Sequence, residues 1–106
     1  MTGRFHNQLL RARVSKTRNG FEMKFTPNNP SLDPRFIAAG LYDVGSEMER
    51  RSHDIGAGWE ITVDASASAR RITVELTPDD SAARAEQFLA GLIRDYDLEG
   101  SAKERA

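Results

Sequence analysis

Residues 25–29 read FTPNN and residues 76–80 read LTPDD, so nearly the same phrase recurs 51 positions later in a chain of 106 residues. Sliding the sequence on itself by 51 aligns residues 10–45 with 61–96 without a gap and gives six identities in 36 pairs. Ordinary composition would give about two by chance. The match favours an internal duplication. The alternative is convergence, because Thr-Pro is a common way to leave a strand and enter a helix.

Two alternating segments open the first half of the chain. Residues 9–16 (LLRARVSK) and 21–26 (FEMKFT) each place apolar side chains on one face and charged or polar ones on the other. A period of two is typical of a strand with one buried face. Asn19-Gly20 lies between the segments and suits the positive φ angles of a tight turn. These residues predict a β-hairpin.

A helix is predicted after the proline-rich stretch at 27–34. Asp33 suits the N-cap and Pro34 the first helical position. The apolar positions that follow recur every three or four residues, as one helix face requires. They are Ile37, Leu41, Val44 and Met48. The helix should fade by His53, before the GAG at 56–58.

The second half repeats this order. Residues 59–64 (WEITVD) and 71–76 (RITVEL) alternate again and predict a second hairpin. Thr77 is expected to cap a second helix, with Pro78 at its first position. The expected buried stripe of that helix is Ala85, Phe88, Leu89, Leu92 and Tyr96.

The order of elements predicts an α+β fold. We expect a tandem ββα-ββα pseudo-twofold repeat, forming a four-stranded antiparallel sheet with two helices on one face. The expected single domain covers residues 1–98, with repeat halves at about 9–53 and 59–98, and residues 99–106 form a flexible C-terminal tail. The matched glycines Gly40 and Gly91 suggest that each helix approaches its neighbours closely there.

Composition limits the class of protein. There is no cysteine, which excludes disulfides and thiolate sites and fits a cytoplasmic location. No apolar run approaches 18 residues, so no membrane span is expected. The N-terminus lacks an apolar h-region, so we also expect no signal peptide.

Short polar clusters give little reason to expect an enzyme. Ser52, His53 and Asp54 are sequence neighbours, whose side chains diverge by about 100° each on a helix instead of converging as a triad. Asp79 and Asp80 are expected at a helix start, where the dipole favours acids. The acids at Asp95, Asp97 and Glu99 oppose the dipole of a helix end and suggest a basic partner, either the Arg11/Arg13 strand or another subunit. We expect no catalytic residue, no cofactor and no metal.

The N-terminal segment is basic. Residues 1–26 hold six Lys or Arg side chains against Glu22 alone, although the net charge is −1 and the pI about 6.1. Such a row can contact phosphates, so nucleic acid or another polyanion is one expected class of partner. The candidate contact residues for a polyanion or protein partner are Arg11, Arg13, Lys16, Arg18, Lys24 and Arg71.

The leading hypothesis is a non-enzymatic protein-interaction or assembly module. Its mixed-charge sheet face or an unpaired edge strand would contact a protein partner, or a second copy in a homodimer. Polyanion binding through the basic hairpin is the first alternative. The second alternative is a small-molecule site between helices and sheet, with Trp59, Tyr42 or Tyr96 near its mouth.

Overall fold

A computed structural model describes residues 10–95 and 99–100 of the chain. It contains five strands and two helices in these residues. In chain order they are β1 (Leu10–Lys16), β2 (Gly20–Pro27), α1 (Pro34–Asp54), β3 (Glu60–Asp64), β4 (Arg71–Glu75), α2 (Ala82–Asp95) and β5 (Glu99–Gly100).

The strands form one sheet with the spatial order β3-β4-β2-β1-β5. The first four are antiparallel neighbours, and β5 runs parallel to β1 with Glu99 in register with Arg11. The prediction of an α+β fold with a four-stranded antiparallel sheet and two helices is confirmed. Glu99 and Gly100, assigned to a tail from the sequence, add a short fifth strand at the outer side of β1.

The first helix begins where its capping residues predict. The Asp33 carboxylate accepts a hydrogen bond from the Arg35 backbone N–H at 2.9 Å, and Pro34 occupies the first turn. This arrangement satisfies one of the backbone donors that a helix start leaves open. The helix ends at Asp54 with Ile55 as C-cap, and Gly56 follows with a φ of 73°.

The second helix begins later than predicted. Thr77 and Pro78 do not open it, because Asp80 N–H donates to the Thr77 carbonyl in a turn. Ser81 is the cap instead: its Oγ accepts from the backbone N–H groups of Ala83 and Arg84 at 3.1 and 3.3 Å. A serine caps a helix as well as a threonine does, so propensity alone did not distinguish the two positions.

One face of the sheet and both helices share a single core. The inward residues of β1, β2 and β4 are buried, as are the apolar stripes of α1 and α2. Because alternate strand residues face opposite ways, the other face of the sheet carries the polar side chains. The largest fully buried residues are Phe21, Leu10, Met23, Ile37, Leu41, Met48, Ile72, Leu89, Leu92, Val14, Val44 and Val74.

A glycine is required at position 20 because strands β2 and β4 approach each other closely there, and not because of the turn before it. Gly56 and Arg70 are the residues with positive φ in the described part of the chain, so the expected positive φ at Asn19-Gly20 is wrong. Gly20 is the first residue of β2, and a Cβ there would lie 2.0 Å from the Val74 carbonyl oxygen of β4. The glycine therefore lets the two hairpins join.

Close contact between helix and sheet occurs at Gly45. A Cβ at Gly45 would lie 2.4 Å from Cγ2 of Val63, so α1 rests directly on β3. Gly40 is buried within α1, but a Cβ at Gly91 would meet only the Arg94 guanidinium at 3.5 Å. The expectation of close packing at Gly91 is therefore wrong.

Ion pairs connect the two helices. The Glu47 carboxylate accepts hydrogen bonds from the guanidinium groups of Arg50 and Arg51, and Arg51 also donates to Asp95 of α2 at 2.9 Å. The bonds from Arg50, and after them those from Arg51, lower the pKa of Glu47 to about 2. Asp95 thus has a basic partner on α1, and not on the Arg11/Arg13 strand that the sequence suggests.

Replacing Gly20 with alanine should reduce the free energy of unfolding by about 2 kcal/mol or more, because the obstructing atom is backbone of a central strand and cannot move aside. Gly91→Ala is the control. It removes a glycine from a helix interior with room for the methyl group, so it should stabilise the protein by up to ~1 kcal/mol. Urea unfolding of both variants measures the difference, and equal effects would contradict the assigned packing.

Candidate functional site

Three basic side chains lie directly beside one another across the open face of the sheet. Arg13 of β1 is in register with Lys24 of β2, and Lys24 is in register with Arg71 of β4. Directly opposed residues of antiparallel strands project to the same face with Cβ atoms about 5 Å apart. Arg13 and Lys24 are exposed and Arg71 is half-buried. We call these three residues the cationic row.

The open face has a negative end as well. The next row towards the β1–β2 turn contains Glu22 opposite Thr73, and the row beyond it places Glu75 opposite Glu60. The Glu22 carboxylate lies 3.9 Å from the Arg71 guanidinium, where the two ends meet. The face expected to carry mixed charge therefore has an acidic end at Glu60 and Glu75, and its other end carries the cationic row with Asp64 opposite Arg71.

The structure separates the six predicted contact residues into two groups. Arg11 and the cationic row share the basic end of the open face. Lys16 and Arg18 lie at the other end of β1 beside the turn. There they line an open cavity of about 660 Å³ whose opposite wall includes Glu75 and Thr77. The six residues do not form one continuous basic surface.

Strand β3 leaves one of its sides without a strand neighbour among the described residues. Phe25 N–H donates to the Arg70 carbonyl and Leu76 N–H to the Asn19 carbonyl, which shows that even-numbered residues of β4 bond to β2. Backbone groups of successive strand residues point to opposite sides. Odd-numbered residues of β4 therefore bond to β3. Their partners there are Glu60, Thr62 and Asp64.

It follows that the backbone N–H and C=O groups of Ile61 and Val63 point away from β4, towards the side of β3 that has no strand neighbour within residues 10–95 and 99–100. These two N–H donors and two C=O acceptors have the spacing at which a neighbouring strand forms backbone hydrogen bonds. We call this side the β3 edge, defined by the backbone of residues 60–64. Such an edge is a template for pairing with another extended chain.

A groove runs between the β3 edge and helix α1. Its cavity of about 340 Å³ is lined by residues of both elements: Tyr42, Gly45, Ser46, Glu49, Ile61, Thr62 and Val63. Tyr42 is 56% exposed, and Ile61 and Val63 are only half-buried on the inward face of the sheet. Apolar surface therefore lies next to the open backbone groups.

The Ser-His-Asp sequence at 52–54 does not form a catalytic arrangement. The Ser52 hydroxyl is buried and donates to the Glu49 carbonyl at 3.0 Å, while Asp54 accepts from Arg50 at 3.1 Å. These side chains are directed to separate partners, as expected for neighbours on one helix. Within residues 10–95 and 99–100, no three His, Asp or Glu side chains come together in a way that could hold a metal ion.

Trp59 and Tyr42, two of the aromatic residues proposed for a small-molecule site, are not brought together. Trp59 is 7% exposed, packs edge-on against Phe88 at 5.1 Å, and donates its indole N–H to Asp80. Arg84 lies 5.7 Å above the Trp59 ring. Trp59 lines a different cavity from Tyr42, and Tyr96 and Asp97 lie outside the described residues.

Comparison with known proteins identifies no relative. No protein-family model, no curated protein and no solved structure matches this chain. Neither helix in the described part of the chain is both long and apolar enough to cross a membrane.

Reversing the charge of Lys24 should stabilise the protein, because Lys24 lies between two cations. Lys24→Glu converts two like-charge cross-strand pairs into opposite-charge pairs, for a gain of roughly 0.5–1 kcal/mol at low ionic strength. Lys24→Gln should give a smaller gain. Urea unfolding at low and high NaCl is the measurement, since added salt screens exposed pairs. A loss of stability at low salt would show that the three cations do not repel one another.

Proposed function

We propose that the protein is a non-enzymatic interaction module that uses the β3 edge to pair with an extended segment of a protein partner. The observation that carries this proposal is the open backbone of Ile61 and Val63 beside the apolar groove of α1. Pairing at a sheet edge takes affinity from main-chain hydrogen bonds and specificity from pockets for alternate side chains. The β3 edge offers both.

The groove supports this choice over the open face of the sheet. A partner strand at the β3 edge would place alternate side chains over Ile61, Val63 and Tyr42, burying apolar surface that is now exposed. The open face offers charged and hydroxyl side chains. Burying these against a second protein requires a partner for each charge.

A second copy of the chain is the other protein partner that this edge can take, and it would form a homodimer by antiparallel pairing of β3 with β3. Cytoplasmic location belongs to the same proposal and rests on the sequence alone, through the lack of cysteine.

Anion binding at the basic end of the open face is a second candidate function. The specific observation in its favour is the cationic row, in which Lys24 has a cation directly opposite on either side. Repulsion within such a row is relieved when phosphate or carboxylate groups bind across it. Glu22 and Asp64 lie close to Arg71 and reduce the net charge of this surface.

The duplication is also proposed here as the origin of the fold. It is supported at the centre of the sheet, where Glu22 lies opposite Thr73, its equivalent 51 positions later. It is less well supported at β3. Four residues separate the paired Lys16 and Phe21, but eight separate the paired Val63 and Ile72, so the alignment of the first strands needs a four-residue shift. Alignments of homologous sequences would test it, since an ancestral repeat should become clearer in some relatives.

Hydrogen exchange followed by NMR tests the β3 edge directly. In the isolated protein, the amides of Ile61 and Val63 should exchange much faster than the amide of Thr62, which bonds to β4. The measurement is repeated over a range of protein concentrations. Slow exchange of both amides at every concentration would show that the chain covers this edge itself and would overturn the proposal. Protection that rises with concentration would identify a second copy as the partner.

The second candidate function is tested on a heparin column at low ionic strength. If the cationic row binds anions, the protein should be retained and should elute as salt rises, and Lys24→Glu should elute earlier. Lys16→Glu is the matched control, because it changes the same charge at the opposite end of β1. Passage of the unaltered protein without retention would rule out this candidate.

A further inference from the structure

We infer that the partner segment at the β3 edge is an extended chain in which basic residues alternate with apolar ones. This inference rests on the proposed function and specifies its partner. It comes from the side chains that flank the open backbone groups, which differ in character on the two faces of the sheet.

The outward side chains of β3 are acidic at both ends. Glu60 and Asp64 are exposed on the open face, with Thr62 between them. Glu60 makes no ion pair in the described part of the chain. Asp64 lies opposite Arg71 of β4 and accepts a hydrogen bond from Ser66 N–H at 3.2 Å. A carboxylate has about four acceptor sites, so others remain for a partner. Both carboxylates are therefore accessible to a neighbouring strand.

The hydrogen-bond pattern places the partner's residues. A strand paired with the backbone of Ile61 and Val63 lies opposite Glu60, Thr62 and Asp64 at non-hydrogen-bonded positions. At such positions Cα atoms of antiparallel strands are only about 4.5 Å apart and side chains are closest. Lys or Arg opposite Glu60 and Asp64 would therefore form cross-strand ion pairs, and the residue opposite Thr62 would be small or polar.

The partner's alternate residues would face the groove. Ile61 and Val63 point towards α1, and Tyr42 and Glu49 form the far wall of the cavity. Valine, isoleucine or threonine suits this half-buried pleated surface. The partner pattern is thus basic, apolar, small or polar, apolar, basic.

The same acidic residues oppose pairing with a second copy. Two β3 strands related by a two-fold axis through Thr62 would place Glu60 opposite Asp64 twice, which is unfavourable because like charges then lie at the shortest cross-strand distance. In this register, which pairs all of β3 with its copy, charge complementarity favours a basic partner over another copy of this chain.

Three nine-residue peptides test the inference: SGKVTVKGS, its acidic counterpart SGEVTVEGS and the neutral SGQVTVQGS. Each is titrated into the full chain, and the amide signals of Ile61 and Val63 are followed by NMR. The basic peptide should bind at least tenfold more tightly than the acidic one at low salt, with the neutral peptide between them. The difference should shrink as NaCl is added, because these pairs are exposed.

Two double variants are the matched controls. Glu60→Lys with Asp64→Lys should reverse the order of the peptides, whereas Glu60→Gln with Asp64→Asn should remove the preference and retain the side-chain acceptor that bonds to Ser66. Circular dichroism establishes that each variant is folded. A reversed order in the charge-reversal variant shows that these two carboxylates make the selection.

The outcomes separate the inference from the proposed function. If all three peptides bind equally at Ile61 and Val63, or if the acidic peptide binds more tightly, the inferred preference for a basic partner is wrong. Edge pairing itself would still stand. No effect of any peptide on these amides would overturn both. Light scattering that shows a dimer, together with protection of the same amides, would overturn the inference in favour of a second copy.

Discussion

The pairing of β2 with β4 is the interaction on which the remaining structure depends. It joins two hairpins that are separated by a 21-residue helix and sets residues 20–24 against 71–75. The approach is close enough that Gly20 has no space for a Cβ. Because these two strands lie at the centre of the sheet, β1 and β3 lie on either side of them. Both helices cover the face that the four strands bury together.

The order of the strands also determines the surface. With β4 next to β2, Arg71 becomes the neighbour of Lys24 and completes a row that begins at Arg13. The same register places Glu60 opposite Glu75 at the other end of the open face, with Glu22 between the two ends and Asp64 opposite Arg71. A face that reads as evenly mixed along the chain thereby carries three cations side by side in one row and two carboxylates opposite each other at its far end.

The two edges of the four-stranded antiparallel sheet differ in their neighbours. Beside β1, the short strand β5 supplies a parallel neighbour at Arg11 and Ala12. Beside β3, the described residues supply no strand, and the inward residues Ile61 and Val63 remain half-buried next to Tyr42. The acidic side chains of Glu60 and Asp64 are the kind of edge charge that discourages indiscriminate pairing. In the proposal made above, they also select a partner by charge.

The local elements could be predicted from the sequence because their signals are local. Period-two alternation identified all four long strands, and Asp33-Pro34 identified the start of α1. The choice between Thr77 and Ser81 as the second cap failed, since both suit the position and the turn between them depends on contacts of Asp80 with Trp59. Likewise, Gly91 resembled Gly40 in spacing, yet the close contact with the sheet belongs to Gly45.

What the sequence by itself determined is therefore where the four antiparallel strands and the two helices lie, to within a few residues, and which face of each is buried, because side-chain periodicity reflects backbone geometry. Tertiary structure alone decided which strands are neighbours. Partners such as Lys24 and Arg71 lie far apart along the chain, and no local pattern encodes their register. Both candidate surfaces, the cationic row and the β3 edge, follow from that order. Six basic residues could be named from the sequence, but their grouping could not, and neither could the open side of β3.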